Sequence, residues 1–240
     1  MPADDVEALA ALMASRGDEV AAVVTEPVQG AAGIFPPPEG YLTTLRRLCD
    51  QHGAYLVFDE VITGFGRLGH WFAAHRYDVR PDLVTFAKAV TSGYQPLGGV
   101  FVGAAPRAAL EADPAFFLRH GFTYSGHAAA CAAGLRNLQI IRDEGLVARA
   151  VHAGSRLADG LQALAADGVI DHARGDGAMW AAGLRPDQDA VAIRDRMLAS
   201  GVICRAINTD SLTFCPPLVI TDEQIDRIVD TLNAAATATA

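Results

Sequence analysis

The fold of this chain is decided by Tyr55-Leu56-Val57-Phe58-Asp59-Glu60-Val61, where an apolar run ends in two carboxylates. A continuous run of residues with strand propensity is typical of a buried parallel strand. In α/β proteins, ligands bind at the carboxyl ends of such strands. We therefore expect an α/β fold with a mostly parallel sheet flanked by helices, and we expect Asp59 at the edge of that sheet where ligands bind.

A second apolar run, Leu83-Val84-Thr85-Phe86, ends just before Lys88. A lysine just past an apolar strand is expected to be partly desolvated, which lowers the pKa of its amine and makes it a nucleophile toward carbonyl groups. Taken alone, such a lysine is more often a surface residue and Asp59 more often a cap. Taken together, they are the Schiff-base amine and the pyridinium partner that pyridoxal phosphate requires.

Composition excludes several classes of protein. The 240 residues are 51% hydrophobic and carry a formal net charge of −9, which suits one large or two small domains with a sizeable core. The acidic balance and the scattered basic residues argue against nucleic-acid binding. No apolar run has membrane-spanning length, and the start of the chain lacks a charged-then-apolar signal pattern. We therefore expect a cytoplasmic protein with neither nucleic-acid nor membrane partners.

The cysteines and histidines indicate no metal site. Cys49, Cys131, Cys204 and Cys215 form no CxxC pair, and each lies in apolar sequence. We therefore expect buried free thiols. No histidine pair with metal-ligand spacing and an acidic third ligand is found on a predicted helix, so zinc chemistry is not expected.

The pattern of the chain changes near residue 143. Before that point, strand patterns near 20–24, 55–59, 83–86 and 100–102 accompany helical patterns at 5–16, 39–52 and 128–142. After it, helical patterns at 146–166, 187–199 and beyond Thr221 accompany short strand patterns near 169–173, 178–184, 202–205 and 212–215. We predict a large domain over residues 1–142 and a small α+β domain over residues 143–240.

Four motifs follow one another along nearly the whole chain. They are Glu26-Pro27-Val28-Gln29-Gly30, the run from Asp59 to Arg67, Ala87-Lys88, and Thr123-Tyr124-Ser125-Gly126-His127. In order and spacing they resemble the signature of class III aminotransferases, pyridoxal phosphate enzymes of fold type I, and the ω-transaminases are the most similar type. The resemblance implies transfer of an amino group between an amine or amino acid and a keto acid through a lysine Schiff base.

The resemblance also implies roles for individual residues. Lys88 would form the Schiff base with pyridoxal 5′-phosphate and move a proton, while Asp59 would hold the pyridine nitrogen. Val61 would pack on one face of the ring, and Glu26 would lie near the ring and the substrate. Thr123 would bind the cofactor phosphate, in this family usually that of the neighbouring subunit, which implies a homodimer with shared active sites.

Arg205 resembles the arginine with which ω-transaminases hold the carboxylate of an acceptor, and a guanidinium fork suits that task. An ordinary surface arginine is the alternative, because an alignment shift of one residue would move the match. Ile62, Ala31 and Thr213 stand where the amino-acid-specific members of the family carry Gln, Glu and Arg. These departures favour the ω-type subset.

The family has roughly as much chain again before residue 5. That part carries the phosphate-binding turn and one wall of the substrate pocket, so the resemblance implies a partial cofactor-binding large domain at residues 1–142. Without it, a sheet edge and apolar faces would be exposed. We therefore expect a fragment, one half of a split enzyme, or a truncated protein.

Two other interpretations remain. Gly64-Phe65-Gly66-Arg67-Leu68-Gly69 matches the G-x-G-x-x-G pattern of dinucleotide-binding oxidoreductases. However, its first glycine follows Phe58 by six positions with two acids between, and a pyrophosphate would meet those negative charges. The other interpretation is a non-catalytic or split-enzyme fragment of the aminotransferase fold that needs a partner chain, although the intact acid and lysine argue against decay of the site.

Overall fold

The computed structural model describes residues 5–238, and the chain divides into two compact units. The first unit contains the described chain up to Pro27 together with Pro37–Phe65 and Phe72–Asp143. The second contains Val28–Pro36, Gly66–Trp71 and the described chain from Glu144 onward. The domain ranges 1–142 and 143–240 stay a prediction, but two short segments before residue 143 pack with the second unit.

The first unit is built on a four-stranded sheet in which three strands are parallel. Strands β1 (Ala22–Thr25), β2 (Tyr55–Asp59) and β3 (Leu83–Phe86) are parallel neighbours in that order, and β4 (Gly99–Val102) pairs antiparallel with β3. The register aligns Thr25 with Phe58 and Asp59 with Thr85. The carboxyl ends of the three parallel strands therefore meet at one edge, and the predicted mostly parallel sheet is confirmed.

Helices flank this sheet, and three of the five in the described part of the first unit lie where the sequence predicts them, at 5–16, 39–52 and 128–142. They are α1 (Val6–Arg16), α2 (Tyr41–His52), α3 (Ala73–Arg76), α4 (Ala104–Glu111) and α5 (Ala128–Asp143). On α2, Leu42, Leu45 and Cys49 recur at helical spacing and are buried in one cluster with Met13 and Phe58. Gly53 ends α2 with a φ of 68°, a left-handed conformation that glycine adopts readily.

The second unit combines an antiparallel sheet with three helices. The strands are β5 (His172–Asp176), β6 (Met179–Gly183), β7 (Arg205–Ile207) and β8 (Ser211–Phe214), in the spatial order β5-β6-β8-β7, and the helices are α6 (Leu146–Ala166), α7 (Ala190–Ala199) and α8 (Asp222–Thr237). Leu157, Leu161, Leu212 and Ile225 are fully buried in its core. The small α+β architecture expected for this part of the chain is present.

Some details of the second unit differ from the sequence prediction. Strand β5 begins three residues later than predicted because Gly168, with a φ of 70°, turns the chain after α6. Ile170 follows in a turn and is buried, so its apolar character reflects core packing rather than a strand. Strand β7 likewise begins at Arg205, where the predicted strand ended.

The cysteines differ partly from expectation. All four are free, but only Cys49 is buried, and Cys131 and Cys215 are exposed. The expectation of burial was wrong for these two: Cys131 lies outside the buried face of α5, and Cys215 follows the last residue of β8. Burial raises the pKa of the half-buried Cys204 thiol to about 11. Within residues 5–238, no helix has the length and apolar character needed to cross a membrane.

Helix α8 begins with the capping box that its sequence predicts. The Thr221 hydroxyl accepts a hydrogen bond from the Gln224 backbone N–H at 3.3 Å, and the Gln224 side chain accepts one from the Thr221 N–H at 3.0 Å. This exchange satisfies two N–H groups that have no partner inside the helix. The helix therefore starts at Asp222, with an acid in its first turn where the helix dipole favours negative charge.

Asp222 also joins α8 to α6. Arg149 donates to its carboxylate at 2.7 Å, and His152 Nε2 lies 3.0 Å from the other oxygen. The hydrogen bond from Arg149 and then that from His152 lower the pKa of Asp222 to about 2. The usual aspartate value is about 3.9. Because the folded-state pKa is lowered, the stabilisation is present above the unfolded-state pKa and is lost as pH falls toward 2.

We expect Asp222→Asn to lower the urea midpoint of unfolding at pH 7 by removing the charge that Arg149 and His152 contact. The difference from the wild-type chain should shrink between pH 5 and pH 3, where the wild-type carboxylate begins to lose this advantage. Asp230→Asn is the control, because Asp230 lies on the same helix and has no ion pair within the described chain. A pH-independent difference for Asp222→Asn would contradict the assignment.

Candidate active site

Asp59 ends β2 with one carboxylate oxygen held and the other available. The Thr85 hydroxyl donates to Oδ1 at 3.1 Å, and the Val61 backbone N–H donates to the same oxygen at 3.0 Å. No donor within residues 5–238 contacts Oδ2. The side chain is half-buried at the carboxyl edge of the sheet. The second oxygen is therefore the one that can accept a hydrogen bond from a ligand.

Glu60, the residue directly after Asp59, is a structural residue. It is fully buried and accepts hydrogen bonds from the backbone N–H groups of Ala73 and Ala74 and from the Thr63 hydroxyl. Burial raises its pKa, and those three hydrogen bonds oppose the rise. Glu60 thus ties the start of α3 back to the end of β2. The sequence offered no signal for this contact between residues 60 and 73.

Lys88 lies in a single 3₁₀ turn, Lys88–Val90, directly after β3. Its φ is 44°, in the left-handed region that residues other than glycine seldom adopt, and such strain is common at functional sites. The side chain is exposed, and no residue of the described chain forms a hydrogen bond or an ion pair with it. The expected partial desolvation is therefore not found, because no described element covers the amine beyond the strand end.

The amine lies beside an open cavity of about 870 Å³ within the first unit. Its walls are the loop after the turn, from Thr91 to Gly98, and the glycine-framed motif between Phe122 and His127. Thr91 is buried, and its hydroxyl donates to the Gln95 carbonyl at 2.6 Å, which closes the loop on itself. A volume of this size accommodates a small organic ligand.

The remaining predicted site residues are distributed over both units. In the first unit, Val61 and Glu26 are half-buried and follow β2 and β1, respectively, whereas Thr123 is exposed and is not among the residues that line the cavity. Arg205 belongs to the second unit, where it begins β7. It is exposed, and its guanidinium has no ion-pair partner in the part of the chain that the structure describes.

Lysine usage is a signal that the motif analysis missed. Lys88 is the only lysine among the 240 residues, and the other eighteen of the 19 basic residues are arginines. Arginine serves wherever a cation must form ion pairs, but its guanidinium remains protonated and cannot act as a nucleophile. The chain therefore has a primary amine side chain only at the carboxyl end of β3, beside the strand that ends in Asp59.

Arg67, within the glycine-rich run, is a structural residue of the second unit. Its Nη1 donates to the carbonyls of Ala178 at 3.0 Å and Pro216 at 2.6 Å, while its own carbonyl accepts from the Ala178 N–H at 2.9 Å. Burial lowers the pKa of its guanidinium. These contacts fasten the run to the β5–β6 turn, where Gly177 approaches the backbone of Leu68.

The structure does not support the dinucleotide-binding alternative, because the glycine-rich run is not followed by a helix with a free N-terminus. A pyrophosphate loop requires a helix N-terminus directly after its glycines. Here the helix that follows, α3, has four residues, and Glu60 already accepts hydrogen bonds from the N–H groups of its first turn. Gly64 is needed for a different reason, because a Cβ there would lie 2.8 Å from the Glu60 carbonyl oxygen.

Comparison with known proteins identifies the family of the chain. The family profile described as "Aminotransferase class-III" matches residues 2–236, nearly the whole chain. The chain belongs to the class III aminotransferase family. The cofactor of this family is pyridoxal 5′-phosphate, and one solved relative, an amine transaminase from an uncultivated Pseudomonas species, is described in its cofactor-bound form.

Individual relatives are transaminases of more than one specificity. A diaminobutyrate–2-oxoglutarate transaminase of Halomonas elongata is 42% identical over 91% of this chain and 50% of its own length. An ω-aminotransferase of Caulobacter vibrioides is 39% identical over 96% of this chain and 53% of its own. The chain spans about half the length of the curated relatives it matches.

Solved structures share the fold. A transaminase from a marine Virgibacillus superimposes with a TM-score of 0.92 at 38% identity, over 96% of this chain and 56% of its own. The Pseudomonas amine transaminase gives 0.91 at 37% identity, over 96% of this chain and 55% of its own. The fold-type-I assignment is therefore confirmed.

We expect Gly177→Ala to destabilise the second unit strongly. Gly177 has a φ of 52°, and an added Cβ would lie 2.4 Å from the Leu68 Cα. Left-handed backbone in alanine costs about 1–2 kcal/mol, and the backbone clash adds roughly 1–3 kcal/mol. Gly168→Ala is the matched control, since its φ is 70° and nothing lies within 4 Å of the added Cβ.

Urea denaturation would measure both variants. Gly168→Ala should lose only the conformational part, and Gly177→Ala should lose clearly more free energy of unfolding. Equal losses of free energy of unfolding in the two variants would mean that the close contact between Gly177 and Leu68 does not limit the side chain at position 177.

Proposed function

We propose that this chain belongs to a pyridoxal phosphate-dependent transaminase and provides its Schiff-base lysine. Such an enzyme moves an amino group between an amine or amino acid and a keto acid. The observation that carries the proposal is the single lysine of the chain at the end of β3, beside the strand that ends in Asp59. Within residues 5–238, neither the Lys88 amine nor Asp59 Oδ2 has a hydrogen-bond or ion-pair partner. Family membership and the names of the relatives support the same reaction.

The residues of the first unit fit the cofactor. Asp59 Oδ2 can accept a hydrogen bond from a protonated pyridine nitrogen, because both donors of the described site contact Oδ1. The Lys88 side chain is exposed and has no partner among the residues that the structure describes, which leaves its amine accessible for covalent attachment. Val61 follows the acid closely enough to pack against a ring held there. When bound, pyridoxal phosphate supplies an electron sink for the carbon that loses or gains the amino group.

Each predicted site residue has its own role in the proposed reaction. Lys88 Nζ would hold the cofactor covalently and, as a general base and acid, would move a proton to and from the reacting carbon. Asp59 Oδ2 would accept the hydrogen bond of the ring nitrogen and so favour its protonated form. Thr123 is exposed enough to bind a phosphate of a neighbouring subunit, and Glu26 follows β1 on the same sheet edge. Arg205, exposed and unpaired, would hold the carboxylate of a keto acid.

The wider assignments follow from the same proposal. Residues 1–142 would be the partial cofactor-binding domain and residues 143–240 the small domain, within a cytoplasmic homodimer whose subunits share active sites. Ala31, Ile62 and Thr213 support an ω-type rather than an amino-acid-specific enzyme under the resemblance. The relatives include a diaminobutyrate and an acetylornithine enzyme, so the amine donor is left open.

A fragment that needs a partner chain is the second candidate. Its support is the exposed apolar surface of the first sheet: on the edge strand β4, Val100, Phe101 and Val102 are 51%, 48% and 44% exposed. Val24, on the opposite edge strand β1, is 66% exposed. Edge strands with this character are usually covered. In this case the chain alone binds the cofactor weakly and gains activity when the complementary half is supplied.

Borohydride trapping tests the proposal directly. After incubation of the chain with pyridoxal phosphate, reduction should add one cofactor, and peptide mapping should find it on Lys88. Because Lys88 is the only lysine, the only other primary amine is the amino terminus, which serves as an internal reference. We expect no Lys88 label and no transamination in Lys88→Arg, which keeps the charge and removes the amine.

The outcomes separate the candidates. A cofactor-binding preparation without a label on Lys88 would refute the lysine assignment. A label on Lys88 without turnover, restored by co-expression of an amino-terminal half, would select the fragment candidate.

A further inference from the structure

We propose that Thr85 is a positioning residue for Asp59. Its hydroxyl, together with the Val61 N–H, holds Oδ1, so that only Oδ2 is presented to a cationic ring nitrogen. The identity of the ligand rests on the proposed function above. The positioning itself rests on contacts within the first unit alone.

The parallel register creates the contact. Asp59 and Thr85 are direct partners on β2 and β3, and paired residues of neighbouring strands point to the same face of the sheet. The distance from Thr85 Oγ1 to Asp59 Oδ1 is 3.1 Å. An ionised carboxylate can only accept hydrogen bonds, so the hydroxyl must be the donor and its proton points at the acid.

The two donors act differently on the carboxylate. The Val61 N–H belongs to the chain two residues beyond Asp59 and restrains the acid only locally. Thr85 lies on another strand, and its β-branched side chain has restricted χ1 freedom. A hydrogen bond to a charged group is stronger than a neutral one. Thr85 therefore ties the orientation of the carboxylate to the sheet, and through the sheet to the turn that begins with Lys88 three residues later.

A packing role for Thr85 makes the opposite prediction for two substitutions. Thr85→Val keeps the branched shape and the strand propensity but removes the donor. Thr85→Ser keeps the donor and removes a methyl group. If Thr85 only packs, Val should behave like the wild-type residue and Ser should not. If it positions Asp59, Ser should behave like the wild-type residue and Val should not.

The first readout needs no cofactor. Three-bond N–Cγ couplings measured by NMR report the χ1 distribution of Asp59 in the chain alone. We expect a single rotamer in the wild-type chain and in Thr85→Ser, and rotamer averaging in Thr85→Val. Thr25→Val is the matched control, because Thr25 ends the other neighbour of β2 and its hydroxyl donates to the Glu26 carbonyl instead. A single Asp59 rotamer in Thr85→Val would overturn the proposal.

The second readout is the dissociation constant of pyridoxal phosphate, followed by absorbance. Loss of one hydrogen bond to the charged acceptor should raise it about tenfold in Thr85→Val and by less than about twofold in Thr85→Ser. Equal affinity of the wild-type and Val chains would overturn the proposal. Rotamer averaging in Thr85→Val, with no Lys88 adduct in any chain, would support the positioning role and refute the proposed function.

Discussion

The parallel pairing of β2 with β3 is the constraint on which the rest of the candidate site depends. It sets Asp59 opposite Thr85, and it brings the two strand ends out at one edge. A shift of one residue would turn every side chain of a strand to the other face of the sheet. Asp59 would then lose the hydrogen bond from the Thr85 hydroxyl. The turn that begins with Lys88 would also be displaced along the sheet relative to Asp59. Buried Leu56 and Phe58 oppose such a shift, because their side chains belong in the core.

The loop after β2 belongs in part to each of the chain's two compact units. Glu60, the first residue of that loop, binds the start of α3 in the first unit, while Arg67 binds the β5–β6 turn in the second. Glu60 is fully buried and Arg67 is half-buried, and each has hydrogen-bonding partners that offset the cost of burial. The motif thus contains one candidate cofactor-binding residue, Asp59, and two residues that hold its own backbone in place.

Much of this architecture could be predicted from sequence. The apolar runs that end in Asp59 and before Lys88 identify the two strands, because a short continuous run of strand-forming residues is typical of a buried parallel strand. The capping box at Thr221 is equally local. The contacts of Glu60 and Arg67 could not be predicted in this way, since Arg67 meets a carbonyl 111 residues away in sequence. Ile170 shows the limit of pattern reading, because an apolar residue in a turn and one in a strand are buried for the same reason.

The amine content of the chain has a practical consequence. Reagents that acylate, carbamylate or glycate lysine normally spread over many surface positions of a protein. In this chain the only lysine amine is that of Lys88, which is exposed and has no partner among residues 5–238. Apart from the amino terminus, amine-directed modification by cyanate in aged urea or by a coupling resin would therefore fall on one position, the end of β3.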